Sequence, residues 1–398
     1  MANVCLYFQL HQPYRLRQFS VFEMNGSSKN YFSDGENRNQ MIFQKVAQKS
    51  YIPMLSLLLH LIQTVPDFAF TLSCSGIFLE QAEAFQPEII GLIRELVASG
   101  RVEILAETYH HSLASLYSPK EFAQQVAQHT QKMKNLFGYT PRVFRNTELI
   151  YSNQIAELVS TLGFLGMLTE GVDRYLHGRS RSQLFISNTR PPLPLLLKNA
   201  QLSDDIAFRF SEKSWVEFPL TSEKYLAWLD AYMVGELVNL FMDFETFGEH
   251  QWADTGIFDF FAHVVRQIAE KPQHRFVRPS EVMQLENLID QPIYDVPEPI
   301  SWADIDRDLT AWRGNSLQHD TLRLIYSLEE KVLSSNDITL IEDWRKLQTS
   351  DHFYYMCVKW AADGDVHKYF SPYDSPFEAY NRFTTIVADL IGRLNSYV

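Results

Sequence analysis

Short apolar runs alternate with longer amphipathic stretches along most of this chain, the pattern of parallel strands joined by helical crossovers. The strand-like runs are VCLYFQL, FAFTLS, VEILA, RVFRN, FLGMLT, LPLLL, LVNLFMDF and, less regular, RFVRP. Among the stretches between them are EIIGLIRELVAS, KEFAQQVAQHTQKMKNLF and NQIAELVSTLG, the last two closing on Gly or a Gly-containing turn, as helices commonly do. The pattern predicts an α/β protein built on a seven- or eight-stranded β/α barrel. After about residue 295 it turns mainly helical, as in DLTAWRGNSLQHDTLRLIYSLEEKVLSS. A barrel over 1–295 and a C-terminal helical domain over 296–398 are therefore expected. Two stretches rich in Gly, Ser, Asn and Arg, 20–45 and 171–190, read as loops over the barrel mouth. Their Tyr31, Phe32, Tyr175 and His177 are expected to touch a bound ligand.

Four of the strand-like runs end in polar clusters, which changes the picture from architecture to chemistry. LYFQLHQP finishes with His11 and Gln12, VEILAETYHH with Glu107, His110 and His111, VFRNTELIY with Asn146 and Glu148, and LFMDFETFGEH with Asp243, Glu245, Glu249 and His250. Period-two alternation puts Gln9 with His11, Glu103 with Glu107, Asn146 with Glu148, and Asp243 with Glu245 on common faces. His110 and His111 cannot both face one way. Any one polar strand end reads as the solvated start of a loop, but in β/α barrels catalytic groups come from the C-terminal ends of several strands. Inward-pointing faces would bring these carboxylates together.

Composition narrows the partners. The chain has 398 residues, 46% of them hydrophobic, with a net charge of −13. That charge argues against nucleic acid, which wants clustered Lys and Arg, and favours a neutral or cationic substrate. The amino terminus MANVCLYFQL runs into a strand without a leader pattern, and no apolar run approaches a membrane span, so a cytoplasmic protein with no membrane partner is expected. Cys5, Cys74 and Cys357 are odd in number and scattered, suggesting neither disulfides nor a CxxC zinc site. They read as small core residues.

HQPYR, GRVEILAETYHHSL, PRVFRNTELIYS, FMDFETFGEHQW and SWADIDRDLTAWRGN, in that order, resemble the five motifs of glycoside hydrolase family 57, α-amylase branch. The likeness runs from residue 11 to about 315 and adds TSDHFYYM at 349–356. The resemblance implies a (β/α)7 TIM-like barrel followed by a helical bundle, acting on α-glucans by a retaining mechanism without a metal or other cofactor. Carried over by motif, Glu148 is the nucleophile and Asp243 the acid/base. His11 lines the subsite of the attacked sugar, Glu103 belongs to the second motif, His250 sits beside the acid/base, and Trp312 reaches over to stack on sugar. Arg313 departs from the aliphatic residue expected there.

The chemistry agrees with these roles. Glycosidic cleavage needs one carboxylate at the anomeric carbon and one carboxyl to protonate the leaving oxygen, with environments that split their pKa values. Asp243 follows LVNLFM and precedes Phe244, an apolar setting that raises its pKa; Arg145 and Asn146 near Glu148 favour its ionised form. Plainer roles compete: a strand-end cap for Asp243, a helix-start carboxylate for Glu148, a core histidine for His11, an ion pair with Arg101 for Glu103, and packing with Leu309 for Trp312. Three other functions stay open: a 4-α-glucanotransferase, a metal-dependent carbohydrate hydrolase or deacetylase, and a non-catalytic glucan-binding protein. The absence of HxxxH or HExxH spacing disfavours the second, and the intact carboxylate pair disfavours the third.

Overall fold

The computed structural model describes residues 2–24, 30–32, 38–232, 236–284, 288–303, 305–359 and 371–395. In chain order its strands are β1 (Ala2–Leu10), β2 (Phe70–Cys74), β3 (Val102–Ile104), β4 (Phe144–Arg145), β5 (Met167–Glu170), β6 (Phe185–Ser187), β7 (Pro194–Lys198), β8 (Leu237–Asp243), β9 (His274–Phe276) and β10 (Ile293–Tyr294). One sheet runs β3-β2-β1-β8, with β9 beside the start of β1; the other runs β10-β6-β7-β5-β4. All pairings are parallel except that of β6 with β7. Both seams between the sheets are bridged. Ala106 N donates to Val143 O at 2.9 Å and Arg145 N to Ala106 O at 2.8 Å, and Asn199 N donates to Asn239 O at 2.8 Å. The Asn239 side chain adds a bond to Leu197 O.

Local sequence explains the main elements. In β1, ANVCLYFQL, side chains on both faces are buried, so the strand reads as a continuous apolar run rather than an alternation. The helix Pro119–Phe137 starts where Ser118 accepts from Glu121 N ahead of a proline, and stops at Gly138, whose φ of 66° most residues avoid. A second helix, Asn153–Thr161, is capped by Ser152, which accepts from Ile155 N.

Helices cover both sheets in separate apolar clusters. Phe8, Leu58, Phe78 and Phe261 belong to one. The other joins Phe144 of β4 and Leu195 of β7 to Trp344 and Phe383 of the C-terminal helices, so that region packs directly on the strands. It contains the helices Ser316–Ser327, Ile338–Lys346, Ser350–Tyr354 and Pro376–Asn395. The three cysteines are buried. Among the described residues no helix is long and apolar enough to cross a membrane.

The two insertions differ from the loops expected. Stretch 171–190 carries the short helix Asp173–Leu176 and strand β6. In stretch 20–45, Tyr31 and Phe32 are buried, and Tyr31 Oη donates to Asp389 Oδ2 at 2.5 Å. Tyr31 packs under the helix Pro376–Asn395, and Phe32 against Tyr14 and Tyr31, because burying these rings, with the Tyr31 hydroxyl satisfied, is more stable than exposing them. Residues 25–29 and 33–37 of that stretch, and 364–370 of an aromatic-rich tail, lie outside the described residues.

Candidate active site

The C-terminal ends of β1, β3, β4, β7 and β8 deliver a compact set of ionisable side chains. Glu148 sits on the turn Thr147–Leu149 directly after β4, at φ 55° and ψ 28°. A non-glycine residue held left-handed marks local strain that its surroundings must sustain. Here Ser301 Oγ donates to Glu148 O at 3.0 Å, and Trp302 N adds a bond of 3.3 Å to the same oxygen. The turn lifts the carboxylate off the strand.

Both oxygens of that carboxylate are occupied. His111 Nε2 lies 3.1 Å from Oε1 and Trp302 Nε1 donates to Oε2 at 2.8 Å. On its other side His111 Nδ1 meets Glu107 Oε2 at 3.1 Å. Burial opposes a charge on His111, but its bonds to Glu107 and Glu148 outweigh it and push the pKa up to about 9. His111 is therefore an imidazolium at neutral pH, bridging two carboxylates. His110, by contrast, is buried beside Glu342 at 3.7 Å, so His111 is the one that faces the site.

Electrostatics divides the two principal carboxyls. Burial works against ionised Glu148, yet the His111 bond and charge, Arg145 and the Trp302 bond hold its pKa below the ordinary carboxylate value. Burial and the charge of Glu148 push Asp243 up to about 6, against the pull of Arg145, Lys198 and His111. Glu245 is pushed further, to about 8, by burial and Asp243, although Tyr51 Oη donates to it.

Cations complete the pattern. Arg145 is fully buried, and its three guanidinium nitrogens have no hydrogen-bond partner among the described residues. Its charge lies 5.1 Å from the Trp302 ring centroid, and Lys198 Nζ stands at the same distance. Lys198 in turn donates to Asp204 Oδ1 at 2.8 Å, and Arg307 to Asp204 Oδ2 at 2.9 Å.

His11, at the end of β1, stacks on His111 with ring centroids 3.9 Å apart. Burial and the charge of His111 lower its pKa, keeping it neutral. Nδ1 then accepts from Ser75 Oγ at 2.8 Å while Nε2–H donates to Asp351 Oδ2 at 2.9 Å. Asp351 belongs to the C-terminal helix Ser350–Tyr354. Although burial opposes it, the His11 contact holds the Asp351 carboxyl far below its usual range.

Such an arrangement offers an ionised carboxylate and a carboxyl protonated below pH 6 at the C-terminal ends of neighbouring strands, the pairing that acid–base and nucleophilic attack on an acetal require. The glycosyl hydrolase family 57 model matches residues 5–297 of the chain. This protein belongs to that family. It is a glycoside hydrolase. A Methanocaldococcus jannaschii protein named provisionally as an α-amylase is 41% identical over 392 residues, covering 96% of this chain and 82% of that protein. The solved GH57-type branching enzyme of Pyrococcus horikoshii superposes with a TM-score of 0.70 at 15% identity, covering 98% of this chain and 88% of its own. A GH57 branching enzyme from Thermococcus kodakaraensis gives 0.70 at 12% identity, with coverage of 100% and 94%. At these identities the structures speak for the fold.

Within this family 57 chain the structure brings His11, Glu148 and Asp243 together and does not bring Glu103 or Trp312 to them. Glu103, in mid-β3, accepts from Ser280 N at 3.0 Å, and burial raises its pKa. Ser280 follows β9, which pairs with the first residues of β1, so Glu103 points to the opposite end of the strands. Glu107, four residues on, reaches His111 beside Glu148 instead. Trp312 is 1% exposed and packs against Tyr354 with centroids 6.1 Å apart, a core residue with no face left for sugar. Trp302, ten positions earlier in the same motif, meets the nucleophile candidate instead. His250 lies in the turn after β8, its N donating to Glu245 O at 2.9 Å, and burial lowers its pKa to about 4. Asp351, Lys198 and Trp302 were not singled out from the sequence, although Trp302 and Asp351 stand inside quoted motifs. Among the described residues no group of three or more His, Cys, Asp or Glu side chains is arranged to hold a metal ion.

Proposed function

We propose that this family 57 enzyme cleaves α-1,4-glucans with retention of configuration, Glu148 acting as nucleophile and Asp243 as acid/base. The observation that carries the reading is the opposed shift of these two carboxyls, Glu148 downward and Asp243 to about 6. Glu148 attacks the anomeric carbon as Asp243 protonates the leaving glycosidic oxygen. Asp243, now ionised, takes a proton from water, which attacks the glycosyl–Glu148 ester and restores both groups. Neutral His11 stacks on His111 behind the nucleophile, and the charge of the buried Arg145 guanidinium favours ionised Glu148. The α-glucan class is supported by the α-amylase name of the Methanocaldococcus relative.

The scaffold for this chemistry is a (β/α)7 barrel over 1–295, in which β1, β2, β3, β4, β5, β7 and β8 follow in chain order and the bridged seams close the ring. Residues 296–398 form the helical part that completes the cleft, supported by Asp351 and Trp302 reaching His11 and Glu148. Incubation with maltooligosaccharides and separation of the products tests the reading. Shorter products alone mean hydrolysis; products longer than the substrate mean that a sugar hydroxyl replaces water and assign a glucanotransferase. No conversion of either kind would remove α-glucans as substrate.

A further inference from the structure

The helix Ala200–Ala207 has two sides with different work. Inward, Asp204 receives Lys198 and Arg307 beneath the active site. Outward, Gln201 and Asp205 line a cavity of about 370 Å³ together with Arg209, Trp215, Glu217 and Trp228. A neighbouring cavity of about 470 Å³ shares Gln201 and Trp228. Trp228 and Gln201 thus border both, and the two hollows lie side by side as a groove.

The chemistry of the groove selects its ligand. Trp215 and Trp228 stand edge to face with ring centroids 6.2 Å apart, and both are only half-buried. Beside them Phe208, Val216 and Phe218 are 58%, 89% and 38% exposed, an apolar patch that the fold leaves uncovered. Beside the indoles two carboxylates have cations of their own: Arg209 Nε donates to Asp205 Oδ1 at 2.6 Å, and Lys224 Nζ lies 3.3 Å from Glu217 Oε2. Paired charges give little purchase on an ion, yet their remaining lone pairs and N–H groups stay able to bind hydroxyls. The Arg209 guanidinium already stands over the Trp215 ring, 5.7 Å from its centroid, so Trp228 supplies the stacking face; an indole edged by neutralised polar pairs matches a pyranose ring, whose faces carry C–H and whose rim carries O–H. The size lies within the range of small-ligand clefts.

We propose that this groove is a non-catalytic binding site for a neutral α-glucan chain, centred on Trp228 and Trp215. It tethers polymeric substrate to the enzyme, so that the local concentration of chain at the cleft rises. The choice of α-glucan rests on the function proposed above; the groove itself rests on its own side chains.

Titration of maltoheptaose into the Glu148→Gln protein, followed by calorimetry, tests it. Two classes of site are expected, and Trp228→Ala added to that protein weakens one of them at least about tenfold while leaving the other unchanged. Trp215→Ala, which lies in the exposed loop rather than the helix, gives the same loss and guards against a Trp228→Ala protein that fails to fold. In the active enzyme both substitutions raise KM for glycogen and leave kcat/KM on maltotriose intact. A single class of site that neither substitution alters overturns the groove and leaves the α-glucan reading standing. Absence of both maltoheptaose binding and maltooligosaccharide cleavage overturns both. A changed oligomeric state in Trp228→Ala, with glucan binding unaltered, assigns the groove to a second copy of the chain and likewise overturns the proposal.

Discussion

Trp302 donates its indole Nε1–H to Glu148 Oε2 at 2.8 Å, joining positions 154 apart in the chain. The ring that makes this bond also carries two cations, and its backbone N bonds Glu148 O. Trp302 therefore positions both the backbone and the charge of Glu148, the proposed nucleophile.

Trp302→Phe keeps a ring for Arg145 and Lys198 and removes only the donor. A hydrogen bond to a charged group contributes about 1.5–3 kcal/mol, and one pKa unit corresponds to about 1.4 kcal/mol. The acidic limb of kcat/KM is expected to move up by about one to two pH units. A pH–rate profile measures this, and an unmoved limb would mean that the bond does not hold the ionised form.

The proposed mechanism requires Glu148 ionised and Asp243 protonated. Because the Glu148 pKa is lowered, turnover is retained as pH falls through the usual carboxylate range and lost only below it. Because the Asp243 pKa is raised to about 6, kcat/KM falls as pH rises through that value. The profile should be a bell peaking below pH 6. A plateau extending to pH 8 would exclude Asp243 as the acid.

The two carboxyls are separable by substitution. Glu148→Gln stops the reaction for every substrate, since nothing remains to form the glycosyl intermediate. Asp243→Asn is partly rescued on substrates whose leaving group needs no proton, and further by azide, which attacks without a general base. Wild-type products keep the α configuration. Initial release of the β-anomer, or azide rescue of Glu148→Gln with an inverted product, would require the roles to be exchanged or abandoned.

Asp351→Asn replaces the ionised acceptor that orients His11. Loss of one charged hydrogen bond lowers kcat/KM on maltooligosaccharides by roughly ten- to a hundredfold. Asp351 has a depressed folded-state pKa, so its contribution to stability is present above the ordinary Asp value and lost as pH falls through the lower folded value. The Tm difference between wild type and Asp351→Asn should accordingly be full at pH 6 and shrink in strong acid. Equal Tm values at pH 6 would show that the pair orients without stabilising.

Residue by residue, the sequence by itself determined which strands exist and which of them end in chemistry. The continuous apolar runs of β1 and β8 mark buried strands because both faces must be covered; His11 and Asp243 stand where those two runs stop, and Glu107 and Glu148 just beyond β3 and β4. The short strands β6 and β10 carry no such mark, since FIS and IY are brief apolar pieces inside polar, loop-like stretches. Tertiary structure alone decided height, partner and facing. Alternation puts Glu103 and Glu107 on one face of β3, but the register against β2 and the distance along the axis send one to each end. An indole serves equally as core or as donor, so the pattern around Trp302 and Trp312 could not say which is sealed in; packing of the helical part buries Trp312 and leaves Trp302 against Glu148. His11 and Asp351 meet across 340 positions. No local preference encodes such a contact, because it forms only when burial of the helices against β4 and β7 offsets the entropy of closing the intervening chain.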